Sequence, residues 1–166
     1  MTDTARFLLS RLAALLLAAA TSPALADGPD PASAKLIERG RYLVKVAGCN
    51  DCHTPGYAQN AGAVPEAQWL TGDRIGWRGP WGTTYPSNLR LAVPRLSEAE
   101  WLQNARTRRY RPPMPWFALR DMSDDDLRAI HRYLSALGPA GEPAPAWVPP
   151  GGNPPGLAIV FPSPPQ

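Results

Sequence analysis

The chain contains only two cysteines, Cys49 and Cys52, which stand two residues apart with His53 directly after the second, in the stretch AGCNDCHTP. This Cys-x-x-Cys-His group constrains the fold strongly, because whatever it binds must lie beside this one segment. Three chemical roles are open to it. The sulfurs can form a disulfide or redox pair, they can help to hold a metal, or they can attach a larger group covalently.

The N-terminal segment has the pattern of a secretory signal peptide. Arg6 and Arg11 precede an apolar run over residues 12–20, and residues 24–26 have the small-x-small form of a cleavage site. This run of nine residues is much shorter than the roughly 20 that a membrane-spanning helix needs. We therefore expect a signal peptide over residues 1–26, export to the periplasm, and no membrane span after cleavage.

Apolar residues recur at helical spacing in three later segments, which lie at 33–46, 98–108 and 123–138. The first leads directly into the two cysteines. Ser97 and Glu100 form a capping box at the start of the second. Ser123 is the expected N-cap of the third, with acidic residues in its first turn, and Gly138 ends it.

Two regions lack such a pattern. Residues 54–95 are rich in Gly, Pro, Trp and Thr and are predicted to form a long loop, which is uncommon in a compact domain unless it wraps something or is functional. Ten of the 21 prolines follow Gly138, so residues 139–166 are predicted to form a polyproline-like or disordered tail. The single domain expected from 166 residues then occupies 27–138.

The role of the cysteines follows from this context. A thioredoxin-like pair needs a preceding strand, whereas here a helix precedes the motif and no strand is predicted. A zinc site needs four ligands, and His131 is the one other strong candidate. Cys-x-x-Cys-His is the motif of c-type haem attachment, in which two thiols add to the porphyrin vinyl groups. We therefore predict one covalent haem c, held by Cys49 and Cys52, with His53 as an iron ligand.

Three side chains can supply the second axial ligand: Met114, Met122 and His131. Met114 lies between prolines in RPPMPWF, where the stiff backbone can pre-position a weak thioether ligand. Met122 precedes the N-cap Ser123, where an apolar residue is expected for packing. His131 lies beside the apolar stripe of the last helix and is expected to be a packed or surface histidine. Met114 is favoured, because His/Met ligation is the electron-transfer pattern.

The chain resembles the class I c-type cytochromes over residues 34–137. Three stretches carry the resemblance: RGRYLVKVAGCNDCHTP, WGTTYPSNL and PPMPWFALRDMSDDDLRAIHRYLSAL. They are similar to the haem modules in cytochrome subunits of periplasmic dehydrogenases for alcohols, aldehydes and sugars. The resemblance implies an all-α fold, a small cytochrome c with three to four short helices and long loops around one haem. It implies the same haem-binding roles for Cys49, Cys52, His53 and Met114.

The resemblance also implies partners and internal contacts. Gly40 and Tyr42 of the first helix are expected to meet Ile130 and Tyr133 of the last. The expected function is electron transfer and not catalysis, with a periplasmic dehydrogenase as donor and a terminal oxidase or another cytochrome as acceptor. The alternative is a haem enzyme or sensor with a displaceable sixth ligand, either peroxidase-like or ligand-binding.

Two residue types give further expectations. Four of the six tryptophans lie in loops expected to wrap the haem: Trp69, Trp77, Trp81 and Trp116. Trp147 lies in the tail and is expected not to do so. The net charge of +3 gives no indication of a nucleic-acid or membrane partner. Four arginines nevertheless cluster ahead of Met114 in the sequence: Arg106, Arg108, Arg109 and Arg111. They can form a cationic rim for a redox partner, pair with the haem propionates, or be a solvated helix end.

Overall fold

A computed structural model describes residues 30–162, so the predicted signal peptide and the last four residues lie outside the described part. The helices, in chain order, are α1 (Pro31–Val46), α2 (Cys49–His53), α3 (Leu89–Ala92), α4 (Glu98–Thr107), α5 (Trp116–Asp121) and α6 (Asp124–Leu137). A 3-10 turn covers Glu66–Gln68, and the strands are β1 (Gly76–Gly79), β2 (Gly82–Thr84) and β3 (Ala158–Val160). None of the helices in residues 30–162 combines the length and the apolar character that a membrane span needs.

The ends of the long helices follow from their caps. Asp30 accepts hydrogen bonds from the amides of Ala32 and Ser33, so α1 begins two residues earlier than its apolar pattern predicts. The capping box at the start of α4 is present, with the Glu100 carboxylate accepting the backbone amide of Ser97 at 2.8 Å. Ser123 caps α6 as expected. The sequence prediction of these three helices is therefore confirmed to within one or two residues.

The crossing of α1 and α6 depends on Gly40. A Cβ atom at this position would overlap the carbonyl oxygen of Ala129 and lie 2.7 Å from Tyr133 Cβ. A larger residue would push the helices apart, so the expected contact of Gly40 with the last helix is confirmed. The side chain of Tyr42 is 52% exposed, and Arg39 Cζ lies 5.5 Å from its ring centre, so a contact of Tyr42 with the last helix stays a prediction.

The hydrophobic core lies between α1, α4, α6 and the segment that leads from α2 to β1. Its thirteen buried hydrophobic side chains are Leu43, Val44, Tyr57, Trp69, Leu70, Val93, Trp101, Ala105, Leu127, Ala129, Ile130, Tyr133 and Leu134. By contrast, no side chain of residues 106–126 or 135–162 is buried. The fully buried core therefore occupies one side of the molecule, away from the Met114 segment and the tail, and α5 packs against its edge through Leu119.

The expected all-α fold is incomplete, since a small sheet of order β2-β1-β3 is present. Strand β1 pairs antiparallel with β2, its immediate successor, and parallel with β3 from the Pro-rich tail. The prediction of a structureless loop over 54–95 is wrong for this hairpin, for α3 and for the 3-10 turn. The prediction of a polyproline-like or disordered tail is wrong at Ala158–Val160. These strands have three or four residues each, which is too short to show an alternating pattern.

Candidate haem-binding site

The helix α2 brings Cys49, Cys52 and His53 together. Their positions i, i+3 and i+4 lie on one face of a single helical turn, which begins only three residues after α1 ends. Both cysteines are free thiols and are half-buried. The three residues that the sequence assigns to haem attachment therefore point to the same side of one short, rigid element.

The imidazole of His53 is buried and held in one orientation. Its Nδ1 lies 2.8 Å from the carbonyl oxygen of Ser87, which can only accept, so Nδ1 carries the proton and donates. Burial lowers the pKa of His53, against the opposing effect of this hydrogen bond. The ring is therefore neutral, with the lone pair on Nε2, which is the arrangement of a metal-binding histidine with a backbone partner behind it.

The thiols are poorly suited to redox chemistry of their own. Burial raises the pKa of Cys49 to about 11. Burial also raises the pKa of Cys52, with smaller contributions from the charges of Asp51 and Asp73. The thiolate is the redox nucleophile, and reactive cysteines have lowered pKa values. All three described strands also follow the motif, so the strand that a thioredoxin-like site places before it is absent from residues 30–48.

Residues 30–162 are not arranged as a structural zinc site either. Across residues 30–162, no group of three or more His, Cys, Asp and Glu side chains is arranged to hold a metal ion. His131, the remaining candidate, is half-buried, and its Nε2 lies 2.9 Å from the carbonyl oxygen of Leu96. This position agrees with the prediction of a packed histidine.

Buried polar side chains fix α2 from behind, and sequence patterns did not identify them. Thr54 donates its hydroxyl hydrogen to Asn50 Oδ1 at 2.8 Å and accepts the amide of Leu70 at 2.7 Å. The carbonyl of His53 accepts the amide of Gly72 at 2.8 Å. Asn50 and Thr54 are almost fully buried, and single buried polar residues have no periodicity that would reveal them.

The segment 84–87 connects His53 to the loop that carries Met114. Ser87 accepts the hydrogen bond from His53, and Thr84 Oγ1 donates to the carbonyl of Pro112 at 2.6 Å. Three residues span at most about 11 Å. The backbone two residues before Met114 is therefore held close to Ser87, the residue that orients the imidazole of His53.

Met114 lies half-buried in a turn, where its amide donates to the carbonyl of Arg111 at 3.3 Å and its carbonyl accepts the amide of Trp116 at 2.9 Å. Met122, at the end of α5, is partly buried and packs against the hydrophobic core. Met122 therefore has the packing role that its position before Ser123 predicts. Ligation by Met114 stays a prediction.

Arg90 and Asn88 connect the site region to the rest of the fold, and sequence analysis missed both. Arg90 is buried, and its guanidinium donates to the carbonyls of Leu137, of Gly138 at 2.6 Å and of Ala67 at 2.8 Å. It therefore binds the carbonyl end of α6, where a cation is favoured. Asn88 caps α3 and donates to the carbonyls of tail residues 140 and 142. The N-cap preference of Asn was the one available signal.

The tryptophans separate into two groups. Trp69 is buried in the core, edge-on to Tyr57 at 5.9 Å between ring centres. Trp77 and Trp81 both contact the ring of Phe161 from the tail. The indole Nε1 of Trp147 donates to the carbonyl of Trp81 at 3.0 Å, so the Trp147 ring lies beside the same hairpin. The tail is therefore closer to the hairpin than the sequence suggested.

The four arginines ahead of Met114 do not form one cluster. Arg106 is bound to Asp124 at 2.6 Å and to the carbonyl of Arg120, so the expected rim does not include it. The other three guanidiniums each lie over an aromatic ring. Arg108 lies 5.6 Å from the ring centre of Tyr110, Arg109 lies 3.8 Å from that of Trp116, and Arg111 lies 4.1 Å from that of Trp147. None of these three forms a salt bridge with a carboxylate of residues 30–162.

The described residues fit a covalently attached haem. Two thiols and a neutral imidazole share one face of α2, which is the donor set that c-type attachment requires. The hydrophobic side chains of residues 106–126, which include the thioether of Met114, are half-buried or exposed. A surface that covers a large apolar group would present partly exposed apolar side chains of this kind. A haem would bind through Cys49, Cys52 and His53.

Comparison with known proteins is consistent with this chemistry. The chain is 28% identical over 136 residues to one of the nicotinate dehydrogenase subunits of Pseudomonas putida, over 75% of this chain and 10% of that protein. It is 28% identical over 145 residues to the fructose dehydrogenase cytochrome subunit of Gluconobacter japonicus, over 79% of this chain and 28% of that subunit. It is 27% identical over 152 residues to the cytochrome c subunit of the quinone alcohol dehydrogenase of Gluconacetobacter polyoxogenes, over 82% and 30%.

The chain is similar to cytochrome subunits of dehydrogenases. It spans only 10% to 30% of the length of these three relatives. No protein-family model and no solved structure matches it. The similarity therefore supports a cytochrome c-like module and leaves the activity of a whole complex to be proposed.

Proposed function

We propose that this protein is a periplasmic electron-transfer module with one covalent haem c. Cys49 and Cys52 are the attachment points, His53 is the proximal iron ligand and Met114 is the distal one. The observation that carries the proposal is the arrangement on α2, where both thiols and the oriented Nε2 of His53 share one face. When bound, the haem iron supplies a one-electron couple.

The contribution of His53 is a fixed, neutral nitrogen donor. The Ser87 carbonyl keeps the proton on Nδ1, and burial keeps the ring from becoming charged. A backbone partner behind a ligating histidine orients the ring and raises its basicity as a ligand. Asn50 and Thr54 hold the turn of α2 in place, so that this orientation does not depend on the imidazole alone.

The contribution of Met114 is a soft, neutral sulfur held by the backbone on both sides. The Pro112 carbonyl is bound by Thr84, and the Met114 amide and carbonyl are both hydrogen-bonded within the turn. Because a bound thioether closes the sixth position, these restraints favour electron transfer over a peroxidase-like or ligand-binding role, which needs an open position. Methionine ligation also raises the reduction potential relative to two histidines.

The partners we propose are proteins. The fructose and alcohol dehydrogenase relatives are named as cytochrome subunits, which supports a dehydrogenase as the electron donor for this module. The acceptor we propose is a terminal oxidase or another cytochrome. Arg108 and Arg109 are exposed beside the Met114 loop and form a cationic rim that suits an acidic face on one of these partners.

The experiment that tests the function has two steps. Periplasmic protein is first boiled in detergent, separated on a denaturing gel and stained for haem, where we expect the stain to stay with the polypeptide. The ferric spectrum of the purified protein then shows whether the weak red band of methionine-to-iron charge transfer is present. Haem that extracts freely into acid-acetone contradicts the attachment, and a spectrum without the red band contradicts the Met114 ligation.

A further inference from the structure

The Pro-rich tail is bound to the β1–β2 hairpin at Trp147 and Val148. Thr83 and Val148 exchange two backbone hydrogen bonds, of 2.8 and 3.0 Å. The indole Nε1 of Trp147 donates to the carbonyl of Trp81 at 3.0 Å. Three hydrogen bonds therefore fix this point of the tail on the hairpin, although nothing in the Pro-rich sequence predicts a fixed position.

The hairpin is shaped to receive the tail at this point. Gly82 has a φ of +93°, and a Cβ atom there would overlap the carbonyl oxygen of Val148 and lie 3.0 Å from Trp147 Nε1. Only glycine combines this backbone conformation with so close an approach. The contact is therefore built into the hairpin and is not an incidental position of a loose segment.

Trp147 also contacts the Met114 loop. The guanidinium of Arg111 lies 4.1 Å from the centre of the Trp147 ring, within the range of a cation–π interaction. The carbonyl of Arg111 accepts the amide of Met114 at 3.3 Å, and the next residue, Pro112, is bound by Thr84. Two independent contacts, one from the tail and one from β2, therefore hold the two residues at the start of the Met114 turn.

The tail cannot easily move Trp147 away, because it is fixed on both sides of this residue. Before it, Asn88 binds the carbonyls of residues 140 and 142. After it, Tyr85 donates to the carbonyl of Pro155 at 3.0 Å, and Ala158–Val160 pairs with β1. The prolines between these points stiffen the chain and reduce its slack.

From these contacts we propose that Trp147 is a positioning residue for the distal ligand: the tail holds Arg111, and Arg111 holds the turn that presents Met114. This inference rests on the proposed function, since it concerns the ligation of Met114. A thioether is a weak ligand, so its occupancy depends on how well its loop is pre-positioned. Removing the Trp147 ring therefore increases the fraction of molecules in which Met114 is displaced.

The test measures cyanide binding to the ferric holoprotein in the full-length chain. For Trp147→Ala we expect binding to be about tenfold faster than in the wild type, a factor that matches the loss of one aromatic–cation contact. The red band should weaken, while the haem stain on a denaturing gel is unchanged. Trp147→Phe keeps a ring under Arg111 and should recover most of the effect. Leu157→Ala removes an apolar tail side chain that is 77% exposed and is the matched control.

Arg111→Ala provides a second variant on an exposed side chain and should reproduce the increase. The double variant should bind cyanide no faster than either single variant, because the two side chains act as one unit. Wild-type rates in both Trp147→Ala and Arg111→Ala overturn the positioning role. If Trp147→Ala fails to fold, the rate for Arg111→Ala alone decides.

The proposed function fails separately and at an earlier step. If Met114→Ala keeps the red band and binds cyanide at the wild-type rate, Met114 is not the ligand and the positioning role falls with it. If Met114→Ala binds cyanide fast while the Trp147 and Arg111 variants do not, the ligand assignment stands and only the role of the tail is wrong.

Discussion

The two sides of the molecule are stabilised in different ways. The helical side, formed by α1, α4 and α6, contains the crossing at Gly40 and most of the thirteen buried hydrophobic side chains. The loop side, which we define as residues 76–88, 108–116 and 139–162, contains none of the thirteen. It is held by single hydrogen bonds, a short sheet and arginines over aromatic rings. Burial is the dominant stabilising term in folding, so only the helical side has its own source of order.

The comparison suggests which side depends on the cofactor. A small sheet and surface contacts contribute little, because an isolated hairpin is marginally stable in water. A haem bound through α2 would supply apolar surface to a side that has none of the thirteen core side chains. The helical side should therefore lose less than the loop side when the haem is removed.

The largest expected effect comes from removing both proposed attachment points. The double variant with Cys49→Ala and Cys52→Ala should lose all covalent haem. Hydrogen exchange should then show protection lost throughout the loop side, with the residual protection in α1 and α6, because those helices bury each other's apolar surface. Equal loss of protection on both sides would show that the helical side depends on the haem as much as the loop side does.

Removing the predicted distal ligand should give the next largest effect, confined to the loop side. Met114→Ala should lose the red band, lower the reduction potential and bind carbon monoxide and cyanide fast, because the sixth position opens. Spectra, a redox titration and stopped-flow binding measure these changes. Met122→Ala is the control, since its side chain packs on the helical core. The opposite behaviour of the two variants would make Met122 the ligand.

The corresponding test on the helical side is Gly40→Ala. The added methyl group overlaps Ala129, so we expect the free energy of unfolding to fall by about 1–3 kcal/mol in denaturant titrations. The red band and the potential should stay unchanged in the folded protein. Lys35→Ala, at an exposed position of α1, should cost little. A changed spectrum in Gly40→Ala would show that the two sides are more strongly coupled than their contacts indicate.

The cationic rim should affect rates and not stability. Reversing the charge of Arg108 and Arg109 to glutamate should slow electron transfer with an acidic partner at low ionic strength, by about tenfold or more, because electrostatic steering raises association rates. At 1 M salt, where the Debye length is about 3 Å, most of the difference should disappear. A shifted potential that persists in salt would assign these side chains to the haem propionates instead. Lys35→Glu, on the helical side, is the control.

The smallest expected effect is a pH dependence on the helical side. Glu66 accepts hydrogen bonds from Tyr133 at 2.8 Å and Arg41 at 2.9 Å. Partial burial raises the pKa of Glu66, but these hydrogen bonds outweigh it and lower the pKa overall. Since the folded pKa lies below the unfolded one, the stabilisation is present above the unfolded value of about 4.3 and is lost as the pH falls through the folded value.

Glu66→Gln should accordingly lower the free energy of unfolding by about 1 kcal/mol near neutral pH. The difference from the wild type should shrink below about pH 4, where the carboxylate of the wild type is itself protonated. Denaturant titrations at several pH values measure it. Glu38→Gln, which removes only the 3.9 Å contact with Arg41, should show neither change. If the difference in the free energy of unfolding does not change with pH, the charge of Glu66 is not the cause of the stabilisation.

The parts of the fold that sequence analysis predicted are the local ones. The helix caps at Ser97 and Ser123 and the attachment motif each depend on residues within four positions of one another. The missed features depend on distant partners: β3 pairs with β1 about 80 residues earlier in the chain. Arg90 illustrates the difficulty, because it follows no pattern that distinguishes it from the exposed Arg95, yet it is buried against the end of α6.

The candidate site divides in the same way. Cys49, Cys52 and His53 lie in one motif and were predicted together, and α2 places them on one face. The backbone partner of His53 could not be predicted, because a carbonyl oxygen such as that of Ser87 carries no side-chain signal. The arginines show the reverse error. Their closeness in sequence suggested one cluster, but α4 ends at Thr107, so Arg106 faces Asp124 while the later ones extend along the loop.

The segment from Thr84 to Arg90 has a consequence for how the chain can vary in length. Four of its seven residues bind distant parts of the chain. Thr84 binds the Pro112 carbonyl, and Ser87 binds the His53 imidazole. Asn88 binds the tail, and Arg90 binds the carbonyl end of α6. Surface loops ordinarily tolerate insertions and deletions. Here one added or missing residue would shift some of these contacts relative to the others. Relatives that share this architecture should therefore differ in length before residue 84 or after residue 90, and keep this spacing constant.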